Sequence, residues 1–201
     1  MSTASPGRSS FDSFYARAGK RAVDVVISIP VTILLAPIAI VIGIAIRMED
    51  QGPVLFVQER VGRYGDIFRL WKFRSMPTDV ANVPSARAGA LQVTKVGKMI
   101  RRTNLDEVPQ LMNVLTGRMT LVGPRPALPT QVSLIEMRRR NGAIALKPGL
   151  TGLAQVNSYD GMPEDEKAEW DAKYLSKLGA LTDLRVLLRT IAYLFRKPPQ
   201  Y

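Results

Sequence analysis

VVISIPVTILLAPIAIVIGIAI, from Val25 to Ile46, carries no charged side chain. At 1.5 Å per helical residue it reaches about 33 Å, enough for the hydrocarbon core of a bilayer. The run marks the chain as membrane-associated, and how it meets the bilayer decides the fold. Pro37, near its middle, removes a backbone donor and collides with the carbonyl of Ile33, so a break or kink is predicted there. Pro30 adds to the bend, while Ser28 and Thr32 offer hydroxyls to freed carbonyls. Arg17, Lys20 and Arg21 precede the run, and Arg47, Arg60, Arg63 and Arg69 follow it. The positive-inside rule draws both ends to the cytoplasmic side. A re-entrant helix satisfies both pulls, and a kinked single span is the alternative. A cleaved signal peptide is disfavoured, because the run exceeds an h-region and no small-residue cleavage site precedes Arg47-Met-Glu-Asp50. Asp24, at the entry, calls for a partner, with Arg21 or Arg17 within two turns.

Working outward, the 201 residues suit one domain plus an accessory segment, and neither an internal repeat nor a second domain is visible. Cysteine and histidine are both absent, which excludes disulfides, thiolate nucleophiles, Cys/His zinc sites and histidine-based triads. Chemistry must run on carboxylates, hydroxyls, Lys, Arg or a hard cation. Lys and Arg number 28 against 17 Asp and Glu, a formal charge of +11. That excess implies an anionic partner: nucleic acid, acidic lipid or a phosphorylated substrate.

Residues 1–18 are expected to form a disordered tail, small and polar at first, with the membrane helix over 19–48, one domain over 49–196 and a short tail over 197–201. Pro53-Val-Leu-Phe-Val-Gln and Ile67-Phe-Arg-Leu-Trp-Lys-Phe-Arg predict two strands joined through Gly62-Arg-Tyr-Gly-Asp. Residues 77–90, rich in Pro, Ala, Ser and Gly, predict a mobile loop. Helical signals dominate from Thr103, so the fold class is α+β, mostly helical, with a small β-hairpin region. Near the end, Leu184, Leu187, Leu188, Ile191 and Phe195 form one helical stripe beside Arg185, Arg189 and Arg196. Such a helix can lie in the headgroup layer or pack on the protein's own core.

The chemistry is expected at Thr103-Asn-Leu-Asp-Glu-Val-Pro-Gln-Leu-Met-Asn-Val-Leu-Thr-Gly117. Thr103 or Asn104 can cap a helix, Pro109 is tolerated early and Gly117 can end it. Leu105, Val108, Leu111, Met112 and Leu115 would form its buried side. Asp106 and Glu107 then stand where backbone donors point outward, a place that stabilises acids and also attracts phosphate. Lys98, Arg101 and Arg102 lie upstream, and Arg125 sits between Pro124 and Pro126 on stiff backbone suited to clamping a phosphate. Lys147-Pro-Gly-Leu-Thr-Gly152 offers Gly149 and Gly152 for close approach to a ligand. Two acids among cations suit metal-assisted phosphoryl chemistry, one attacking phosphorus and the other holding a divalent cation.

KRAVDVV with the Pro37 break, QERVGR, LWKFRSM, VGKMIRRTNLDEVPQLMNVLTGRMTLVGPRP, KPGLTGLAQVN and LTDLRVLLRTI stand in one order from about Lys20 to Arg196. In that order and spacing the chain resembles the small monotopic phosphoglycosyl transferases, the bacterial sugar transferase family. The resemblance implies a monotopic protein of the inner membrane, with a re-entrant helix broken at Pro37, amphipathic interfacial helices and the catalytic domain on the cytoplasmic face. It implies Mg2+ as cofactor and a two-step reaction in which sugar phosphate passes from a UDP-sugar to an aspartate, releasing UMP, and then to undecaprenyl phosphate. By the same resemblance Asp106 is the nucleophile and Glu107 a Mg2+ ligand. Lys72, Arg101, Arg125, Lys147 and Asp183 fall at substrate- or phosphate-binding positions, Asp183 as a supporting acid. A surface strand lysine and a helix-capping acid are the plain alternatives for Lys72 and Asp183. Two departures stand out. Ala36 precedes Pro37 where relatives often carry Ser, and Ser158-Tyr159 follow Gln155-Val-Asn157 where they often carry Gly-Arg. A membrane-tethered basic binding protein is the rival reading, but it gives the acidic pair no purpose. No nucleic-acid module is recognised, so nucleic acid is not an expected partner.

Overall fold

The computed structural model describes residues 15–77, 93–157 and 162–194. The tail over 1–14, the loop expected at 77–90 apart from Pro77, Ser158-Tyr159, Phe195 and everything beyond lie outside the described residues. A π-helical turn, Tyr15–Gly19, leads into helix α1, Lys20–Asp50. The boundary drawn at residue 18 therefore falls within helical structure.

Helix α1 meets the domain along one stripe. Asp24, Ser28, Ile42 and Ile46 are buried, and Val31, Leu35 and Ala39 pack between them at three- and four-residue spacing. The opposite side leaves Val26, Ile33, Leu34, Ile38, Ile40, Val41 and Ile44 uncovered. A bare apolar surface of this extent suits lipid rather than water. By length and hydropathy the helix is able to cross a membrane.

The backbone stays helical through both Pro30 and Pro37, so of the predicted break or kink the break is not observed. A proline removes one donor, and the turns on both sides of it are held by contacts with the domain. The predicted hydroxyl partners differ as well. Thr32 Oγ1 donates to the carbonyl of Ser28 at 2.7 Å, which is not one of those freed by proline, and the buried Ser28 hydroxyl has no partner among the described residues. Among the described side chains Asp24 does not pair with Arg21, one of the two arginines proposed for it, and the Arg17 side chain lies outside them. Asp24 Oδ1 accepts from Thr120 Oγ1 and from the amide of Leu121, both at 2.9 Å. Arg21 instead donates to the carbonyls of Val114 and Leu115.

Strands β1, Leu55–Val61, and β2, Ile67–Phe73, form the predicted antiparallel hairpin, with Leu55 opposite Phe73 and Val61 opposite Ile67. Helix α2, Lys95–Arg102, begins at Thr94, whose side chain accepts from the amide of Gly97. A Cβ on Gly97 would stand 2.2 Å from the carbonyl oxygen of Ser75, so only glycine lets α2 lie against the end of β2.

The stretch after α2 corrects the single helix expected from Thr103 to Gly117. Thr103 closes α2, its hydroxyl donating to the carbonyls of Met99 and Ile100. Asn104 takes a left-handed conformation at φ 55°, Leu105–Glu107 form a 3₁₀ turn, and α3 covers Gln110–Leu115. Met112 is exposed, while Gln110, Leu111, Asn113 and Val114 are buried. The buried polar residue Asn113 has a structural cause: its side chain accepts from the Trp71 amide and donates to the Arg69 carbonyl. It closes the edge of β2 and thereby shifts the buried face of α3.

Strand β3, Thr120–Val122, pairs in parallel with β4, Gly149–Thr151, a sheet the sequence reading missed because each strand has three residues. Helices α4, Val132–Arg140, α5, Leu153–Asn157, α6, Glu164–Ser176, and α7, Ala180–Leu194, complete the fold. The main core joins Phe68, Leu70, Leu111, Val114, Met119, Tyr174 and Val186. On α7 that core takes Val186 and part of Leu187 but leaves Leu181, Leu184, Leu188 and Ile191 exposed. Of the two readings of the apolar stripe, packing on the protein's own core accounts for Leu187 alone.

Candidate active site

Asp106 and Glu107 stand on the 3₁₀ turn between α2 and α3, held from three sides. From α2, Arg101 donates through Nε to Ser75 Oγ at 2.8 Å, which ties it to the end of LWKFRSM. From β2, Lys72 Nζ donates to Glu107 Oε1 at 2.8 Å. From the turn after β3, Arg125 Nη2 reaches the same oxygen at 3.1 Å. The described bonds to Glu107 thus converge on Oε1 and leave the side of Oε2. Lys72 is largely buried and paired with Glu107, unlike a free surface strand lysine.

The two acids shift in opposite net directions. Burial works to raise the pKa of Glu107, but Arg125 and Lys72 outweigh it and hold the group down at about 2. Glu107 is therefore held as an anion at neutral pH. Burial raises the pKa of Asp106, opposed by Lys72, Arg101 and Arg125 and reinforced by the negative charge of Glu107. No hydrogen bond is recorded to the Asp106 carboxylate among the described residues. A poorly solvated carboxylate among cations is suited to attack an electrophile that carries its own negative charge.

A small cleft beside Glu107 is lined by Arg60, Leu70, Lys72, Gln110, Arg125 and Pro126. Arg60, expected from the sequence only as a charge flanking the apolar run, lines this cleft. Its buried guanidinium donates to the Pro126 carbonyl and to Gln58 Oε1, and its Nε has no partner among the described residues. Burial, then the nearby charge of Arg125, lower its pKa to about 10, against the pull of Glu107. One signal could have found it. With a strand period of two, Phe56, Gln58 and Arg60 share a face, and an arginine on the inward face of a strand requires a purpose.

Lys147, Asp183, Gly149 and Gly152 do not join the acidic pair among the described contacts. Lys147 is half-buried, its amine pushed down first by burial and then by Arg21 and Arg63, in a group near the start of α1 that includes Asp24 and Lys20. Asp183 is buried and is neither an exposed cap nor a neighbour of the pair. It accepts from Tyr15 Oη, Lys20 Nζ and Tyr174 Oη, each at 2.6 Å, and so fastens α1 to α6 and α7. Gly149 and Gly152 stand in close approach to the backbone of Gly123. Added Cβ atoms would lie 2.1 Å from the Gly123 nitrogen and 2.0 Å from its oxygen.

The carboxylate oxygens form a hard donor set, which fits a divalent cation such as Mg2+. Among the described residues no group of three acids could cage one unaided. Mg2+ commonly binds through one or two carboxylates with substrate phosphates supplying the rest, which is what an Asp-Glu pair beside an anion cleft provides.

The fold and site together define an α+β protein with one long apolar helix able to cross a membrane and a partly buried Asp-Glu pair ringed by cations. The chain belongs to the bacterial sugar transferase family, whose sequence model matches residues 15–197. It is 39% identical over 186 residues to the UDP-glucose:undecaprenyl-phosphate glucose-1-phosphate transferase of Klebsiella pneumoniae, covering 86% of this chain and 39% of that protein. A protein of the same name from Caulobacter vibrioides is 37% identical, covering 90% of this chain and 72% of the relative. The exopolysaccharide production protein PSS of Rhizobium leguminosarum bv. phaseoli is 34% identical, covering 86% of this chain and 92% of the relative. The chain thus spans about two fifths of the length of the Klebsiella relative.

Proposed function

We propose that this chain transfers a sugar 1-phosphate from a UDP-sugar to undecaprenyl phosphate at the inner membrane, an early step in assembling a glycoconjugate. The observation that carries the reading is the division of labour in the acidic pair: Glu107 is pinned as an anion by Lys72 and Arg125, while Asp106 beside it has no hydrogen-bond partner among the described residues.

An Asp106 carboxylate oxygen attacks the sugar-bearing phosphorus. The bond from that phosphorus to the bridging oxygen breaks, and UMP leaves with the electron pair. A phosphate oxygen of undecaprenyl phosphate then attacks the same phosphorus, and the aspartyl oxygen departs as free carboxylate. Arg125, Lys72 and Arg101 draw the substrate phosphates to the pair and offset charge at the transferring group. Mg2+, held by Glu107 and beside Asp106, would supply further neutralisation of phosphate oxygens. The second substrate is a lipid, so the acceptor must arrive from the bilayer. Both ends of α1 bond to the same domain, Asp24 to β3 and Glu49 to the amides of Lys95 and Val96. That tethering supports a helix that enters and leaves by the cytoplasmic face. The uncovered stripe of α7 supports a second element lying in the headgroup layer.

Mass spectrometry of enzyme quenched during turnover tests the reading, with the phosphosugar adduct expected on Asp106 and UMP as the released nucleotide. Release of UDP from an unmodified protein would overturn it.

A further inference from the structure

Arg125 is half-exposed on the turn between β3 and α4, yet its backbone is the most heavily held segment of the site. Gly149 donates its amide to the Pro124 carbonyl at 2.8 Å, and Val61 donates its own to the Ala127 carbonyl at 2.9 Å. Between them, Arg138 Nη1 donates to the Arg125 carbonyl at 3.0 Å and Arg60 Nη1 to that of Pro126 at 3.1 Å. Consecutive carbonyls are thus fixed by three separate elements, β4, α4 and β1. Arg60 also faces the cleft, but Arg138 does not line it. Arg138 is buried and is itself fixed by α6, its Nε and Nη2 lying 2.8 and 2.7 Å from Asp171 Oδ2.

We infer that Arg138, oriented by Asp171, is a positioning residue that holds the Arg125 guanidinium over Glu107 and so sets affinity for the UDP-sugar. The inference rests on the reading of Arg125 as a phosphate contact. A buried ion pair is an expensive way to join two helices, since matched apolar side chains often do so as well or better. The pair gains a purpose from the third bond, because a guanidinium can meet a carboxylate with one edge and a carbonyl with its remaining nitrogen. A lysine offers a single nitrogen in place of this planar fork and cannot reproduce the same spread of donors.

The test uses the full chain in lipid-containing detergent, with the UDP-sugar it turns over fastest among UDP-glucose, UDP-galactose and UDP-N-acetylgalactosamine. Two changes are compared, Arg138→Lys, which keeps the charge beside Asp171, and the paired Arg138→Met with Asp171→Leu, which removes the ion pair altogether. Each is also made in an Arg125→Ala background, and Arg139→Ala, which loses only an exposed bond to Glu136, serves as control. The expected result is a KM for UDP-sugar raised about tenfold with kcat changed far less, and little further loss when Arg125 is already alanine. The same fold-loss in both backgrounds, or an unmoved KM in folded Arg138→Lys, would overturn the inference while leaving Arg125 its role. An unmoved KM in Arg125→Ala, or no UMP release from any of the sugars, would instead remove the reading beneath it.

Discussion

Asp106 and Glu107 are adjacent in sequence, yet they behave differently, and the difference can be measured. A carboxylate whose pKa is raised by burial is destabilising when ionised, that is, above its folded pKa, and the cost disappears as the pH falls. Asp106→Asn should therefore abolish turnover and adduct formation while raising the thermal midpoint at neutral pH. A fall in the midpoint would mean that the surrounding cations need the charge more than burial opposes it. Glu107 has the opposite sign. Its pKa drops from 4.5 to about 2 on folding, so its stabilisation is present above 4.5 and is lost as the pH falls through 2. Acid unfolding followed by circular dichroism should lose this component in Glu107→Gln, and the dependence of activity on Mg2+ should change in the same variant. At this scale the acids, Arg101 and Arg125 were legible in the sequence, because charged groups among glycine and proline turns point to a site, whereas Lys72 came only from the resemblance of LWKFRSM to the family. Arg60 and the Arg138–Asp171 pair were not, since a buried arginine and a surface arginine look alike until the fold is known.

Among the elements, α1 carries the strongest signal in the sequence and the largest correction. Its apolar length was evident, but the continuity of the helix across Pro37 depends on contacts with β2, α2 and α3 that no local pattern reveals. Asp24 joins this helix to β3, so Asp24→Ala leaves Thr120 Oγ1 and the Leu121 amide buried without an acceptor. The loss should be about 3 kcal/mol, the scale of two buried bonds to a charged group. A thermal midpoint unchanged in Asp24→Ala would show that the helix is held by its apolar stripe alone. The turn bearing the acids teaches the same lesson on a smaller scale. Capping signals at Thr103 and Asn104 are real, but Thr103 ends α2 rather than beginning the next helix, and a left-handed Asn104 separates the two. Sequence punctuation marks a boundary without saying which side it serves.

Across the whole molecule, the open matter is how the domain sits on the bilayer. The chain lacks cysteine, so single cysteines introduced by Ser10→Cys and by Met48→Cys can be labelled without background. A re-entrant α1 predicts that both positions are shielded from an impermeant reagent added to intact cells and react after the membrane is opened. Opposite accessibility would establish a spanning helix. The sequence by itself determined the apolar helix, the hairpin, the acidic pair with its nearest cations, and the exclusion of thiol and histidine chemistry. These depend on composition and short-range periodicity, which a linear reading captures. Only the tertiary structure decided that Asp183 and Lys147 stand apart from the pair, that Gly149 and Gly152 serve the approach of Gly123, and that α4 and α6 reach the Arg125 turn. Those outcomes arise from contacts between residues far apart in the chain, where hydrogen-bond geometry and close packing, rather than residue type, choose the partner.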